Sequence, residues 1–592
     1  VATPSSPTTP GPPAGAPAVG RAAVVVAAVV AVLTVLFAAS FGPWSDGQVV
    51  GNDAIHYAAA VTAGDARGLA LANHLACHPL AFGVHRAGAA LGLLEGYAGA
   101  LVAQRIVSAL GGALAVALVW RLVLALGAPR RVAGLAALAL ATSSGLWLYA
   151  SVGETYAPAA AAEAWVLIEA WRARDRRAGW GRLAAALAIA TLVRQDAVLV
   201  AVVVPVVLGG RGLVPLVVAG AASLAVHALV FAGTAVPVNG AEPSFVDWLT
   251  GIAATETWGA GAARPSAAVA VGVHGVLTLD ALAFGVHRVH AWSAAGVASF
   301  GALALYLAAL VRGLRGSARD ADASTRTDAS TSTNTNTSTS TNTNASASAN
   351  THATNDATAH RRFALALAAF LALRFAFFSW FQPSNIEYAV GHLVPLVVLF
   401  ALAWSRAHGA ARLAAGAVAV QTVATLLLVV PLTERRLDAD ARALTGRARE
   451  AGHLLRIVTV EPFGELALAR ERYRTGDPRD PRRLVSFGRD GSDLPDPLPK
   501  IPLVVWPLDG SGGHDPARAN EVATTVGSDL ANGRDVVVVI DRRIAPTLGL
   551  ARAEVPTPLA TALVALTDFE TLATSGGLAA YLLPGADAPT NE

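Results

Sequence analysis

The chain of 592 residues holds one cysteine, Cys77, one lysine, Lys500, and no methionine. A lone cysteine excludes an intrachain disulfide and a cysteine-ligated metal cluster. Charge is scarce as well: 14% of residues are Asp, Glu, Lys or Arg, against about 25% in soluble domains. That shortage excludes an ordinary soluble protein. The formal net charge of +3 is too small to argue for nucleic acid as a partner. Abundant Ala, Gly, Val and Arg with a single Lys looks like biased nucleotide composition, so the arginine excess by itself carries little functional weight. No nucleotide-binding fingerprint is present. The glycine-rich "PLDGSGGHDP" matches no phosphate-cradling loop and reads as a plain loop. The missing methionine has no physical account.

What the chain has instead is apolar length. Hydrophobic residues make up 54%, mean hydropathy is +0.50, and runs of around 20 apolar residues recur, as bilayer spans require. The expected spans are 21–42, 98–127, 132–150, 156–172, 181–194, 196–210, 212–232, 291–311, 363–381, 388–404 and 410–431. The fold class is therefore mainly α, a polytopic membrane protein of about eleven transmembrane helices. The run 181–210 reads as one tilted helix or as two short ones broken at Arg194. Residues 264–290 read as an interfacial helix. Residues 1–20 are Pro-rich and form a disordered tail. The next apolar run lacks a clear small-residue cleavage site and reads as a membrane helix that stays.

The arginines test this topology. With residues 1–20 in the cytoplasm, Arg130 and Arg131, the group Arg172, Arg174, Arg176 and Arg177, then Arg211, Arg312, Arg315, Arg319, Arg361, Arg362, Arg406 and Arg412 all fall on one side. Asp53, Asp65, Glu154, Asp247, Glu256 and Glu387 fall on the other. One hidden helix would scramble that sorting. The expected organisation is a membrane core over 21–315 with an external loop at 43–97, and a Ser/Thr/Asn-rich cytoplasmic linker over 316–361. Three further spans occupy 362–431, and a small external α/β domain follows over 432–592. The strand-like runs of that last region are "LRIVTV", "RLVSF", "IPLVVW" and "DVVVVI".

Charged groups inside spans are costly and mark function by default. Arg105 lies about two turns inside the second span, Arg194 and Asp196 sit at the break in "TLVRQDAVL", and Arg374 lies near the outer end of its span. The topology brings all four toward the face that carries Asp53, Glu154 and Glu387. Taken singly, an arginine near a helix end can snorkel and a loop glutamate is solvated. Taken together they describe a polar cavity near the outer leaflet, in which arginines suit a phosphate and a carboxylate suits a general base. His74 and His78 are four apart but lack an acidic third ligand for zinc. His227 reads as a packing residue, His287, Arg288 and His290 as an interfacial flank, and Trp147, Trp380 and Trp404 as belt residues near span ends.

The order of motifs is also familiar. Asp53 in "VVGNDAIHYAAAVTAGD" precedes "HPLAF" at His78; "LWLYASVGETYAP" carries Glu154 and Tyr156; then come "LVRQD" and a late Trp380-x-x-Pro383-x-x-x-Glu387-Tyr388. Over residues 20–430 this order resembles the GT-C superfamily of polytopic glycosyltransferases, most closely the protein O-mannosyltransferase-like branch. The resemblance implies a polyprenyl-phosphate-linked sugar donor, with a lipid, glycan or protein as acceptor. It also implies a site on the external face of a bacterial inner membrane. Asp53 matches the acid that acts on the acceptor or binds a metal, so a divalent cation belongs to the expectation. His78 and Pro79 match the helix of the first external loop, and Arg194 matches the contact to donor phosphate. His56 shares a helix face with Asp53 as a supporting residue, and Arg105, Tyr156, Asp196, Arg374, Glu387 and Tyr388 complete the substrate-binding set. The chain departs from O-mannosyltransferases in having Asp53-Ala54 in place of an Asp-Glu pair, and Leu80 in place of a second proline. The competing readings are a transporter or flippase for lipid-linked saccharides, against which no inverted repeat is visible, and an inactive relative that binds a cell-envelope partner.

Overall fold

The computed structural model describes residues 16–40, 52–64, 66–174, 179–234, 244–250, 266–283, 294–331, 343–381, 383 and 386–429, and beyond these a set of strands between 455 and 583 with a few residues near 524–532. Its helices are α1 (Ala16–Ala39), α2 (Asn52–Ala63), α3 (Ala66–Leu69), α4 (Cys77–Ala90), α5 (Gly96–Ala125), α6 (Arg130–Ala141), α7 (Ser144–Ser151), α8 (Tyr156–Ala173) and α9 (Trp180–Val193). They continue with α10 (Val203–Leu208), α11 (Leu213–Thr234), α12 (Phe245–Thr250), α13 (Ala267–Leu282), α14 (Ala294–Thr331), α15 (Thr343–Phe381), α16 (Val390–Trp404) and α17 (His408–Ala424).

Six helical stretches among the described residues are long and apolar enough to cross a membrane, and a seventh is counted if α6 and α7, bent by 59°, form one span. The protein is a polytopic helical membrane protein, but the expectation of eleven separate spans is not met by uninterrupted helices. The runs 196–210 and 212–232 merge into one helical stretch, Gln195–Thr234, while α9 is a short apolar helix that stops before Arg194. The break itself falls where a charged pair interrupts the apolar sequence. Arg194 is extended, at φ −153° and ψ 132°, and a 3₁₀ stretch, Gln195–Val202, follows it. The run 181–210 is thus two pieces, as the break at Arg194 suggested.

The 30-residue α5 lies at the centre, packed against α1, α2, α4, α6 and α8. Small residues let these helices approach closely. A side chain at Gly111 would lie 2.5 Å from the backbone nitrogen of Pro158, so α5 and α8 touch backbone to backbone there. Outer helices keep apolar side chains exposed, including Val32 and Val35 on α1 and Val217, Leu224 and Leu229 on α11; lipid is the solvent such faces fit. The region expected as an interfacial helix forms α13, whose His274 and Asp280 are buried within the bundle. Helices α14 and α15 extend into the Ser/Thr/Asn-rich segment, to Thr331 and from Thr343, while residues 332–342 lie outside the described ones.

Five strands form one sheet: β1 (Leu455–Val460), β2 (Leu503–Trp506), β3 (Asp535–Asp541), β4 (Glu570–Ser575) and β5 (Leu578–Leu583), in the order β2-β1-β3-β5-β4. β1 pairs in parallel with β2 and β3, placing Ile457 opposite Leu503 and Val537, and β5 runs antiparallel between β3 and β4. Three strand-like runs of the sequence coincide with β1, β2 and β3; "RLVSF" lies outside the described residues.

Candidate active site

The break after α9 makes a contact that a helix forbids. In a continuous helix, residues two apart face different directions, but here Arg194 Nε donates to Asp196 Oδ1 at 2.7 Å. The Arg194 Nη1 donates to Thr155 Oγ1 at 3.1 Å, at the start of α8. The guanidinium lies over the Tyr156 ring, 3.9 Å from its centroid, and 5.7 Å from that of Tyr388. Tyr156 in turn donates its hydroxyl to Glu387 Oε2 at 2.5 Å. Arg374, from α15, joins from the other side: its Nη2 donates to Asp196 Oδ2 at 3.1 Å and its Nη1 to Glu163 Oε1 at 2.6 Å. Arg194, Arg374 and Glu163 are all buried. Helix α8, the break after α9, α15 and the 3₁₀ turn at Glu387 therefore converge on two guanidinium groups, the Asp196 carboxylate that bridges them, the Glu163 carboxylate and a tyrosine–glutamate pair.

A second layer comes from the segment between α1 and α5. The Ala76 amide donates to the Leu192 carbonyl at 2.9 Å, which docks this segment against the end of α9. His74 Nδ1 lies 3.4 Å from Thr155 Oγ1, the hydroxyl that also meets Arg194. His74 and His78 meet edge to face, Tyr57 of α2 packs on His78 with centroids 4.1 Å apart, and Gln104 Nε2 lies 3.4 Å from His78 Nδ1. Burial holds both imidazoles neutral: that of His78 is pushed down to about 3, and that of His74 falls well below the usual histidine range, the Arg194 charge adding to desolvation. Burial also pushes the Cys77 thiol up to about 12, which leaves it protonated and unsuited as a nucleophile.

Of the residues singled out in the sequence, Tyr156, Arg194, Asp196, Arg374, Glu387 and Tyr388 come together. His78 stands in the adjoining layer. Glu154 is buried at the turn before α8, where its backbone carbonyl accepts from the Ser108 hydroxyl. Arg105 is engaged elsewhere: it donates to the backbone carbonyls of Ser151, at 2.8 Å, and Ala38, at 3.1 Å, tying α5 to the ends of α7 and α1. Asp53 and His56 belong to α2, but their side chains lie outside the described residues. Ala54 of the same turn meets Gly153, where an added Cβ would lie 3.2 Å from it. Three members were not anticipated. Glu163 is a carboxylate in the middle of the Ala-rich run "APAAAAEAWVL", a signal of the same kind as the arginines; Thr155 and Gln104 gave none. Among the described residues no group of three or more His, Cys, Asp or Glu side chains could hold a metal ion.

Fold and site together define a polytopic helical membrane protein built around a buried arginine–carboxylate cluster at a helix break. No protein-family model matches the chain, and no curated protein matches it. Among solved structures, the chain resembles ArnT from Cupriavidus metallidurans in the apo state at 13% identity, with 95% of this chain and 98% of that chain covered and a TM-score of 0.50. ArnT from the same organism bound to undecaprenyl phosphate aligns at 12% identity over 95% and 98%, with a TM-score of 0.49. The arabinofuranosyltransferase AftD from mycobacteria aligns at 15% identity, covering 96% of this chain and 40% of that one, with a TM-score of 0.40. The apo ArnT likeness shows a shared fold.

Proposed function

We propose that the protein is a membrane glycosyltransferase that moves a hexosyl or pentosyl group from a polyprenyl-phosphate donor to an acceptor hydroxyl, with inversion. The observation that carries this reading is Arg194. A buried guanidinium is held at a helix break by Asp196 and Thr155 and laid against Tyr156, on a fold shared with ArnT. A planar, permanently charged fork of this kind suits a lipid phosphate whose charge grows as the glycosidic bond breaks. The apolar faces of the surrounding helices suit an isoprenoid tail.

Asp53 is the proposed base. It sits one turn before Tyr57 on α2, and Tyr57 packs against His78 and His74, whose neighbour Thr155 meets Arg194. The acceptor hydroxyl attacks the anomeric carbon while the Asp53 carboxylate takes its proton; the bond from that carbon to the phosphate oxygen breaks, and Arg194 stabilises the phosphate that leaves. Glu387 and Tyr156 offer an acceptor and donor pair to sugar hydroxyls beside it. The arginine sorting supports a site on the external side of a bacterial cell membrane, with residues 432–592 on the same side. The order of the sequence motifs supports the O-mannosyltransferase-like branch.

The test is transfer from radiolabelled polyprenyl-phosphate hexoses and pentoses by the full chain in lipid nanodiscs. Asp53→Asn and Arg194→Gln are each expected to reduce donor turnover by about 10² or more. Turnover unchanged in Asp53→Asn removes the base assignment. Translocation of lipid-linked sugar in liposomes without turnover replaces the enzyme by a flippase.

A further inference from the structure

Two buried arginines face the same carboxylate, and simple charge matching would give both to the donor phosphate. Their surroundings differ. Arg374 is 1% exposed. Its Nη1 is bound to Glu163, itself fully buried, and its Nη2 to Asp196. The backbone of Gly391 lies flat against the same group: a Cβ there would stand 2.0 Å from Nη2 and 2.3 Å from Nε. The Phe378 ring covers it as well, 5.0 Å from the guanidinium carbon. A phosphate oxygen needs about 2.7–2.9 Å to an N–H. At Nε, which has no hydrogen-bond partner among the described residues, it meets the Gly391 backbone, and at Nη1 and Nη2 it would have to expel a carboxylate, leaving that anion buried and unpaired at a cost of several kcal/mol.

Charge gives the same answer. Arg194 and Arg374 are balanced by Asp196 and Glu163, so the four groups carry no excess positive charge to attract an anion from a distance. Attraction depends on a guanidinium edge that a phosphate can reach. Arg194 spends Nε on Asp196 and Nη1 on Thr155, and its Nη2 carries neither bond. Asp196 is the hinge between the two: Oδ1 takes Arg194 and Oδ2 takes Arg374. Held at both oxygens, its plane is fixed, and so is the plane of Arg194 above the Tyr156 ring.

We infer that Arg374 is a positioning residue: anchored by Glu163 and seated on Gly391, it fixes Asp196, and Asp196 aims Arg194 at the lipid phosphate that Arg374 itself never touches. The inference rests on the donor reading above for what Arg194 meets, though not for how Arg194 is held.

The experiment measures binding of polyprenyl monophosphate to the full chain in nanodiscs for Arg374→Lys, Asp196→Asn and the double variant, and the structure of Arg374→Lys by electron cryomicroscopy. Both substitutions keep side-chain size, and affinity is taken per folded molecule, so that a loss of fold alone does not register. If Arg374 acts through Asp196, each single change weakens binding by about tenfold and the double change by no more than that. A double variant weaker by about a hundredfold means independent contacts to phosphate and overturns the inference, as does binding unmoved in either single variant. In the Arg374→Lys structure the Arg194 guanidinium should leave the Tyr156 ring; finding it still stacked overturns the inference too. If the wild-type chain binds no polyprenyl monophosphate, the donor reading fails, and the position of Arg194 decides the inference by itself.

Discussion

Two buried polar networks run through this helical bundle, and they are built on different principles. Around Arg194 and Arg374 the contacts are between guanidinium and carboxylate groups, Asp196 gives one oxygen to each arginine, and among the described residues the Glu163 Oε2 and Arg374 Nε atoms have no hydrogen-bond partner. Around Gln421 the members are neutral and paired. Tyr306 donates to Gln421 Oε1 at 2.6 Å, Gln421 Nε2 donates to the Ala139 carbonyl at 2.8 Å, and Thr425 donates to the Thr142 carbonyl at 2.7 Å. The second network sits where α6 ends before α7. It satisfies carbonyls freed by that bend and binds α14 and α17 to it, as polar side chains do in membrane bundles. The first leaves polar capacity unspent beside a helix break. Buried polar atoms without partners cost free energy, and beside the helix break that cost falls on an arginine and a carboxylate in direct contact with each other.

The comparison breaks most visibly at Arg374. Replacing it with Gln leaves Glu163 and Asp196 short of a counter-charge, and an uncompensated buried charge costs about 3–5 kcal/mol. Arg374→Gln should therefore lower thermal stability in detergent strongly. Adding Glu163→Gln to it should recover part of the loss, since the double change removes a charge of each sign. No recovery would mean that the pair is not coupled as its 2.6 Å contact suggests.

A smaller effect separates the charged cluster from its histidine layer. The His78 imidazole is fully buried and its folded pKa, about 3, lies below the ordinary 6.5. The unfolded chain thus binds the proton more readily, so the contribution to stability is complete above pH 6.5 and is lost as pH falls toward 3. Between pH 6.5 and pH 5 the loss reaches about 2 kcal/mol. His78→Gln should flatten the pH dependence of the melting temperature across that interval. An equally steep fall in the variant would assign the acid sensitivity to other groups.

Much of the charged cluster was legible because charge within an apolar run is conspicuous: Arg194, Asp196 and Arg374 stand out in the sequence, and the tyrosine–glutamate partners follow from motif order. What the sequence hides is the direction of each side chain. Arg105 is as conspicuous as Arg194, yet it binds carbonyls at helix ends, since its place on α5 faces α1 and α7. Glu163 escaped notice although it obeys the same rule, because no arginine lies near it in sequence; its partner is 211 residues away. Trp404 reads as a belt residue but is buried, stacked on Tyr306 at 5.8 Å, because a span end in a packed bundle can face inward. The fold class was readable from hydropathy alone. The number of uninterrupted helices was not, since bends and 3₁₀ turns leave composition unchanged.

The neutral network supplies the smallest effect and the sharpest contrast. Tyr306→Phe removes one hydroxyl and leaves the ring stacked between Phe400 and Trp404, whose centroids lie 5.8 Å from it. Gln421 keeps its two donated bonds, to Ala139 and Thr142, and loses only the bond it accepts. Side-chain hydrogen bonds between membrane helices are worth about 0.6 kcal/mol on average and at most about 1.7, so the melting temperature should fall by a few degrees at most. Donor binding and turnover should stay at the wild-type level, because none of the network's bonds reaches Arg194, Asp196 or Arg374. A loss of stability as large as that of Arg374→Gln would show that neutral and charged networks carry equal weight in this bundle. A loss of turnover without a loss of stability would show that the bend between α6 and α7 is linked to the site, and the division between a network that holds the helices and one that meets the substrate would have to be abandoned.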